Sequence, residues 1–313
     1  MVTDEEGSKH DEFRPSNSQH RWLHIPVLLR EVLEFLDVKP EGIYIDATLG
    51  GGGHAEGILR RLERGRLLGT DCDPAAIAVA RGRLQVFGEK LMTLHGNFGE
   101  IDGLHAASGL PPAHGLLADL GVSSLQLEDA SRGFSFERPG PLDMRMDPGS
   151  GTTAAEIANR MPERNLADLI FQFGEERHSR RIARAIVKAR PYRTTTELAQ
   201  VVTRAIPSRA GLHHLHPATR TFLALRLAVN HELENLAALL SKALGILRPG
   251  GRVVILSFHS LEDRLVKRAF QGWQREGQAR ILTRKVIRPD EAEIRANPRS
   301  RSAKLRAAEK RED

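Results

Sequence analysis

The chain has 313 residues, 40% hydrophobic and 27% charged, a composition that suits one large globular domain or two modest ones. No stretch approaches the ~18–20 consecutive apolar residues of a membrane span, and the single cysteine, Cys72, excludes an intramolecular disulfide and a thiolate metal cage. The net charge is +6, and between Arg160 and Arg226 thirteen Lys or Arg face five Asp or Glu, an excess of +8 that leaves about −2 for the rest. All the positive charge is thus read into one segment, which points to a polyanion partner such as a nucleic acid. A merely solvated, arginine-rich helix face is the alternative.

Residues 1–20 are polar, without apolar period, and are expected to form a disordered tail. They lack the apolar core of a secretory signal, so the expected location is cytoplasmic. From His24 to Leu36 the apolar spacing predicts a helix with Pro26 in its first turn. A strand–helix alternation follows. Strands are predicted over 42–49, 66–71, 91–95 and 114–120. Helices are predicted over 54–62 and 73–84, the second capped by Asp73 with Pro74 at its first position. Near-continuous apolar strands between helices call for a parallel sheet covered on both faces.

The alternation stops after the fourth strand. Residues 125–150 read as a long Gly-, Pro- and Asp-rich loop, of the kind that is commonly functional. Capping boxes at Thr153–Glu156 and Thr194–Glu197 open two helices, and Pro162 and Pro217 mark two more first turns. One helical pattern runs from Pro217 to about Leu247. A fifth strand (252–258), a helix (261–273) and two closing edge strands (280–287 and 303–306) complete the chain. The predicted fold class is therefore α/β, a doubly wound Rossmann-like sheet, with residues 21–124 and 221–313 forming one domain. Residues 125–220 are a helical, basic insertion standing over the carboxyl ends of the strands, where such sheets bind ligands.

The first strand runs into Asp46-Ala-Thr-Leu-Gly-Gly-Gly-Gly-His54. Four glycines allow a tight turn and a close ligand approach, but no register gives the dinucleotide pattern G-x-G-x-x-G. Asp71 ends the second strand, where a carboxylate can accept hydrogen bonds from both ribose hydroxyls. Glycine loop and acidic strand end together suit an adenosine carrying an amino-acid tail. An ordinary tight turn with Asp71 as a local cap is the alternative.

More specific blocks follow in order: HIPVLL (24–29), TLGGGGH (48–54), DLGVSSLQL (119–127), RGFSF (132–136), GPLDMRMD (140–147), GEER (174–177), HPATRTF (216–222), SFHSLED (257–263) and NPRSRS (297–302). In these the chain resembles the RsmH (MraW) family over nearly its whole length. That family methylates the exocyclic N4 of a cytidine in the decoding region of bacterial 16S rRNA, with S-adenosylmethionine as donor. The resemblance implies that Gly52, Gly53 and His54 line the methionine side of the cofactor, Asp71 its ribose and Phe98 its adenine. It implies that Asp119 and Gln126 complete the pocket near the reacting end. Gly51 departs from the larger residue often found in relatives, and the tail before Arg21 is longer than usual.

Methyl transfer from a sulfonium needs alignment rather than a metal, so Asp119 is the expected catalytic residue. Its carboxylate would accept a hydrogen bond from the weakly nucleophilic amino nitrogen and stabilise the developing positive charge. A cofactor contact or loop cap is the alternative for Asp119. The loop after Asp119 (Leu-Gly-Val) carries no aromatic to stack on the base, so Phe134 or Phe136 is the expected substitute. Transfer to cytosine C5 would need a thiolate, and Cys72, expected far from the fourth strand as a buried apolar residue, is a poor candidate. His213, His214 and His216 lack neighbouring carboxylates for a metal site and suit a phosphate-facing loop. Arg145, Asn230 and His259 fall at the rim of the site. A non-catalytic RNA-assembly protein with a relic cofactor fold, and methylation of a DNA or protein nitrogen, stand as alternative functions.

Overall fold

The computed structural model describes residues 26–206 and 216–312. The tail, His213 and His214 lie outside these residues. Among those described, seven strands form one sheet: β1 (Ile43–Asp46), β2 (Arg66–Asp71), β3 (Leu91–His95), β4 (Ala113–Asp119), β5 (Leu247–Ser257), β6 (Ala279–Ile281) and β7 (Lys304–Lys310). Their order is β3-β2-β1-β4-β5-β7-β6, with β1 to β5 parallel and β7 antiparallel to both its neighbours. The order reverses between β1 and β4, so a crevice opens at the carboxyl ends of those two strands. This is a doubly wound, Rossmann-like sheet.

The first helices are α1 (Leu29–Leu36), α2 (Gly53–Leu59), α3 (Pro74–Leu84) and α4 (Ile101–Ser108). After β4 come α5 (Ser124–Glu128), α6 (Ala154–Arg160), α7 (Glu163–Gly174), α8 (Ser179–Lys188), α9 (Thr195–Ala205) and α10 (Thr219–Val229). The chain then returns through α11 (Glu232–Lys242), α12 (Ser260–Arg275) and α13 (Glu291–Ala296). Strand periodicity of two divides the sheet's side chains between its faces. In β5, Val254 and Leu256 join the core under α1, α2 and α3, whereas Val253 and Ile255 join the core under α11 and α12. Both faces are apolar because both are covered, as the unbroken runs in β4 and β5 require.

A third core, from Phe134 to Val229, is built by the helical segment and α10, with Cys72 and Val122 of the strand ends packed against it. Its capping boxes form as read: the Thr153 and Thr194 side chains each accept from the N–H three residues on, and Glu156 and Glu197 reach back. Four local expectations need correction. α1 starts at Leu29 rather than at His24, because Leu28 adopts left-handed backbone and Pro26 lies ahead of the helix. The pattern from Pro217 to Leu247 is two helices, α10 and α11, broken at His231, which is also left-handed. The break is pinned by Asn230, whose Oδ1 accepts from Met146 N–H at 2.7 Å while Nδ2 donates to the carbonyls of Met144 and Arg226. Finally, β7 lies between β5 and β6 instead of at an edge, and the 125–150 segment contains α5.

Candidate active site

Three parallel strands end in aspartates: Asp46 on β1, Asp71 on β2 and Asp119 on β4. The carboxyl end of the sheet is therefore acidic, and a cavity of about 340 Å³ opens there. Gly53, His54, Asp71, Phe98, Asp119 and Gln126 all line it. Gly52 does not. It is set back as the residue before α2, with φ of 80°, and a Cβ there would approach Leu84 Cδ1 to 2.9 Å. Its contribution is the turn that aims α2 at the cavity, which a residue with a side chain would make only with strain.

The glycine loop is tied to β2 by Asp71. Oδ2 of its carboxyl group accepts from Gly50 N–H at 2.8 Å and Oδ1 from Asp73 N–H at 2.9 Å. Each oxygen keeps a further lone pair for a ligand hydroxyl. Burial pushes the Asp71 carboxyl up to about 6, against the backbone N–H groups of Asp73, Gly50 and Cys72, which favour its charged form. Gln126 is held at both ends. Its amide donates to Asp73 Oδ2 at 2.9 Å and its oxygen accepts from Ser123 N–H at 3.0 Å. Arg132 donates to the same Asp73 oxygen at 2.7 Å, so the loop after β4 is anchored on the cap of α3.

Asp119 is joined to the loop after β1, its backbone N–H donating to Thr48 Oγ1 at 2.6 Å. Its Oδ2 lies 3.5 Å from His54 Nδ1, and its Oδ1 is buried with no hydrogen-bond partner. The other nitrogen of His54, Nε2, is 2.9 Å from the Val27 carbonyl and must be the donor there. Burial holds the His54 pKa below the ordinary value, so the neutral ring presents its Nδ1 lone pair to Asp119. Burial, aided by the Glu262 charge, pushes the Asp119 carboxyl up to about 7. Asp46, buried behind it, is also pushed up to about 7 by burial. The floor therefore exchanges a proton near neutrality.

The raised Asp119 pKa makes stability depend on pH. The folded-state value lies above the ~3.9 of an unfolded aspartate, so folding favours the protonated form. The stabilisation is complete below ~4 and is lost as pH rises through about 7. Asp119→Asn removes the buried charge and keeps the shape. The variant should melt above the parent at pH 8, and the gap should narrow by pH 5. Roughly 2–4 °C of Tm corresponds to each 1 kcal/mol in a chain of ~150–250 residues. Parallel melting curves at both pH values would contradict the buried-charge account.

The expected stacking aromatics do not reach the cavity. Phe134 is buried in the helical core beneath Arg132, and Phe136 packs against the rings of His216 and Phe222 at 4.6 and 4.8 Å. The cavity's aromatics are Phe98 and Phe258. Phe258 follows β5 directly within the SFHSLED block, the one signal that could have found it. Cys72 lines the same cavity as Asp119, contrary to the expected separation, and burial pushes its thiol far up, away from thiolate chemistry.

The rim residues are mostly internal struts. Asn230 pins the helix break, His259 caps α12 by accepting from Glu262 N–H, and Arg145 forks onto Asp143. Arg226, not singled out by the sequence, lines the cavity and is fixed by two bonds of 2.8 and 2.9 Å to Glu232. His216 accepts from Ala218 N–H. Among the described residues no cluster of three or more His, Cys, Asp or Glu could hold a metal ion, and no helix is long and apolar enough to cross a membrane.

The sequence profile of the MraW methylase family matches residues 21–311. The chain is 51% identical over 306 residues to a protein of Syntrophobacter fumaroxidans named ribosomal RNA small subunit methyltransferase H, covering 92% of this chain and 96% of that protein. A protein of the same name from Acidobacterium capsulatum is 51% identical over 296 residues, covering 92% and 98%. With this coverage, and with a sheet whose strand ends assemble the acidic cavity just described, the chain belongs to the MraW methylase family and is a methyltransferase.

Proposed function

We propose that the protein transfers a methyl group from S-adenosylmethionine to the exocyclic N4 of a cytidine in the decoding region of 16S rRNA. The rRNA part of this reading is supported by the name shared by relatives of about half identity. The choice of an amino nitrogen is carried by one observation, the buried and unpartnered Oδ1 of Asp119 at the end of β4.

The residues present fit the cofactor. Asp71 offers further lone pairs beside a glycine turn whose Gly50 and Gly52 hold left-handed backbone, and Phe98 supplies an apolar wall for a purine. Gly53 and His54, at the first turn of α2, would border the amino-acid end. S-adenosylmethionine supplies an electrophilic methyl group on a sulfonium, and the acidic strand ends suit a positively charged ligand.

Asp119 Oδ1 accepts a hydrogen bond from the amino group, drawing the nitrogen lone pair out of conjugation and lowering the energy of the charge that develops on it. The Asp119 carboxylate, pushed up to about 7 by burial, can itself take the proton that the amino nitrogen sheds, while the neutral His54 ring walls the site beside Oδ2. Gln126 acts at one remove, by fixing Asp73 and the loop that closes the cavity. Phe258, which lines the cavity, would stack on the target base. Labelled donor incubated with small ribosomal subunits should place label in 16S rRNA. Label confined to protein would sink the reading.

Residues 125–220 are proposed as the RNA-recognition insertion, its core continuing into α10. On α8 the exposed Arg180, Arg181 and Arg184 project away from the buried Ile182, Ala183 and Ile186. Phe171 on the neighbouring α7 is 59% exposed, a side chain on which an unstacked base can rest. Replacing the three arginines with Ala should weaken RNA binding and flatten its salt dependence by about 2 in log–log slope, at ~0.7 per phosphate contact for single strands. Equal slopes would reduce them to a solvated helix face.

A further inference from the structure

The positive charge is not confined to the insertion. Residues 264–306 hold thirteen Lys or Arg against four Asp or Glu, an excess of +9 hidden within a near-neutral remainder by acidic residues elsewhere. Part of this charge encloses a groove. Between α12, β6 and the turn after β6 lies a cavity of about 680 Å³, lined by Lys267, Gln271, Gln274, Arg280, Arg284 and Arg306 and by no carboxylate.

Two of its four cations are committed. Arg306 donates to Asp263 at 2.7 Å and Arg280 to Glu309 at 2.8 Å, which fixes those guanidinium groups along the groove wall. Lys267 and Arg284 are exposed, and among the described residues neither has a hydrogen-bond or ion-pair partner. Lys267, Gln271 and Gln274 are spaced four and three apart on one face of α12. Gln274 Oε1 already accepts from Ile281 N–H at 3.3 Å, which leaves the amide N–H groups as its further polar capacity. The groove thus presents mainly donors, two of them free cations, and this chemistry fits the non-bridging oxygens of phosphodiesters.

Its place along the chain favours an RNA strand. α12 starts directly after β5, whose end borders the methyl-transfer cavity. Lys267 lies seven residues beyond Ser260, ~10 Å along the helix axis. At its first turns the same helix is tied to the insertion, Ser260 and Arg264 both donating to Glu175. A strand held by the insertion, with its target base in the cavity, would continue over α12.

We propose that the α12–β6 groove is a second phosphodiester-binding surface, which receives the RNA backbone flanking the target nucleotide; this rests on the rRNA reading above. The test uses the full chain, 16S rRNA, and two variants: Lys267→Ala with Arg284→Ala, and Gln271→Glu. The double variant should lower the salt slope of RNA binding by ~1.4, two contacts at ~0.7 each. It should raise the KM for RNA with kcat, cofactor affinity and Tm unchanged. Gln271→Glu removes no cation but sets a carboxylate among the phosphates, so it should also raise KM, most strongly at low salt. Parent-like slopes and KM in both variants would overturn the groove. A parent enzyme that methylates no rRNA would instead fail the functional reading, and the RNA-binding slope alone would then decide the groove.

Discussion

Asp119→Asn is expected to lower kcat by ~10²–10³, the range seen when one group aimed at a developing charge is removed from a water-excluded site. Cofactor affinity should fall far less, because the lost interaction strengthens only as charge appears on the amino nitrogen. Asparagine keeps a carbonyl acceptor, so Asp119→Ala should be worse. The pH profile supplies a second readout. With the carboxyl pushed up to about 7, the acceptor is charged above that value and protonated below it. Parent kcat should therefore fall as pH drops through about 7, and the Asn variant should lose this limb. Equal losses in kcat and cofactor affinity, with the limb intact, would make Asp119 a cofactor contact and nothing more.

Asp71→Ala should abolish tight cofactor binding in a chain that still folds. Each charge-assisted bond to a ribose hydroxyl is worth ~1.5–3 kcal/mol, so two lost bonds weaken binding by roughly 10²–10⁴. Parent affinity should itself decline as pH falls through about 6, where this carboxyl becomes protonated. Calorimetry checks both statements, and unchanged affinity in a variant with the parent's Tm would remove Asp71 from the pocket. Asp71 also organises the Gly50 and Asp73 amides, so Asp71→Asn, which keeps an acceptor, should recover part of the loss.

The strands that carry these groups were legible in the sequence because burial on both faces leaves little but apolar residues between the turns. β2 and β3 fall on the predicted residues, and Asp71 closes β2 as read. Asp73 was legible as a cap because its chemistry is local, an acceptor two residues before the Ala75 N–H. Long-range features were not. Nothing in the periodicity of 217–247 announces the break at His231, which Asn230 stabilises through a loop more than eighty residues away. Phe134 and Phe136 sit close to the site in sequence, yet the separate helical core claims both, and Phe258 is brought in from the far end of the chain. In the sequence Arg226 is one of thirteen cations in the basic segment, whereas in the fold Glu232 fixes it inside the cavity. The basic stretch 264–306 is masked in the sequence by acidic residues elsewhere outside the 160–226 segment.

The central claim is the identity of the acceptor atom, and nucleoside analysis of the product tests it most directly. The parent enzyme, S-adenosylmethionine and small ribosomal subunits should yield N4-methylcytidine in 16S rRNA with cytosine C5 unmodified. A Cys72→Ser enzyme should give the same product, since burial keeps that thiol protonated. A C5-methyl product, or a Cys72→Ser enzyme that binds cofactor and transfers nothing, would contradict amino-nitrogen methylation at Asp119.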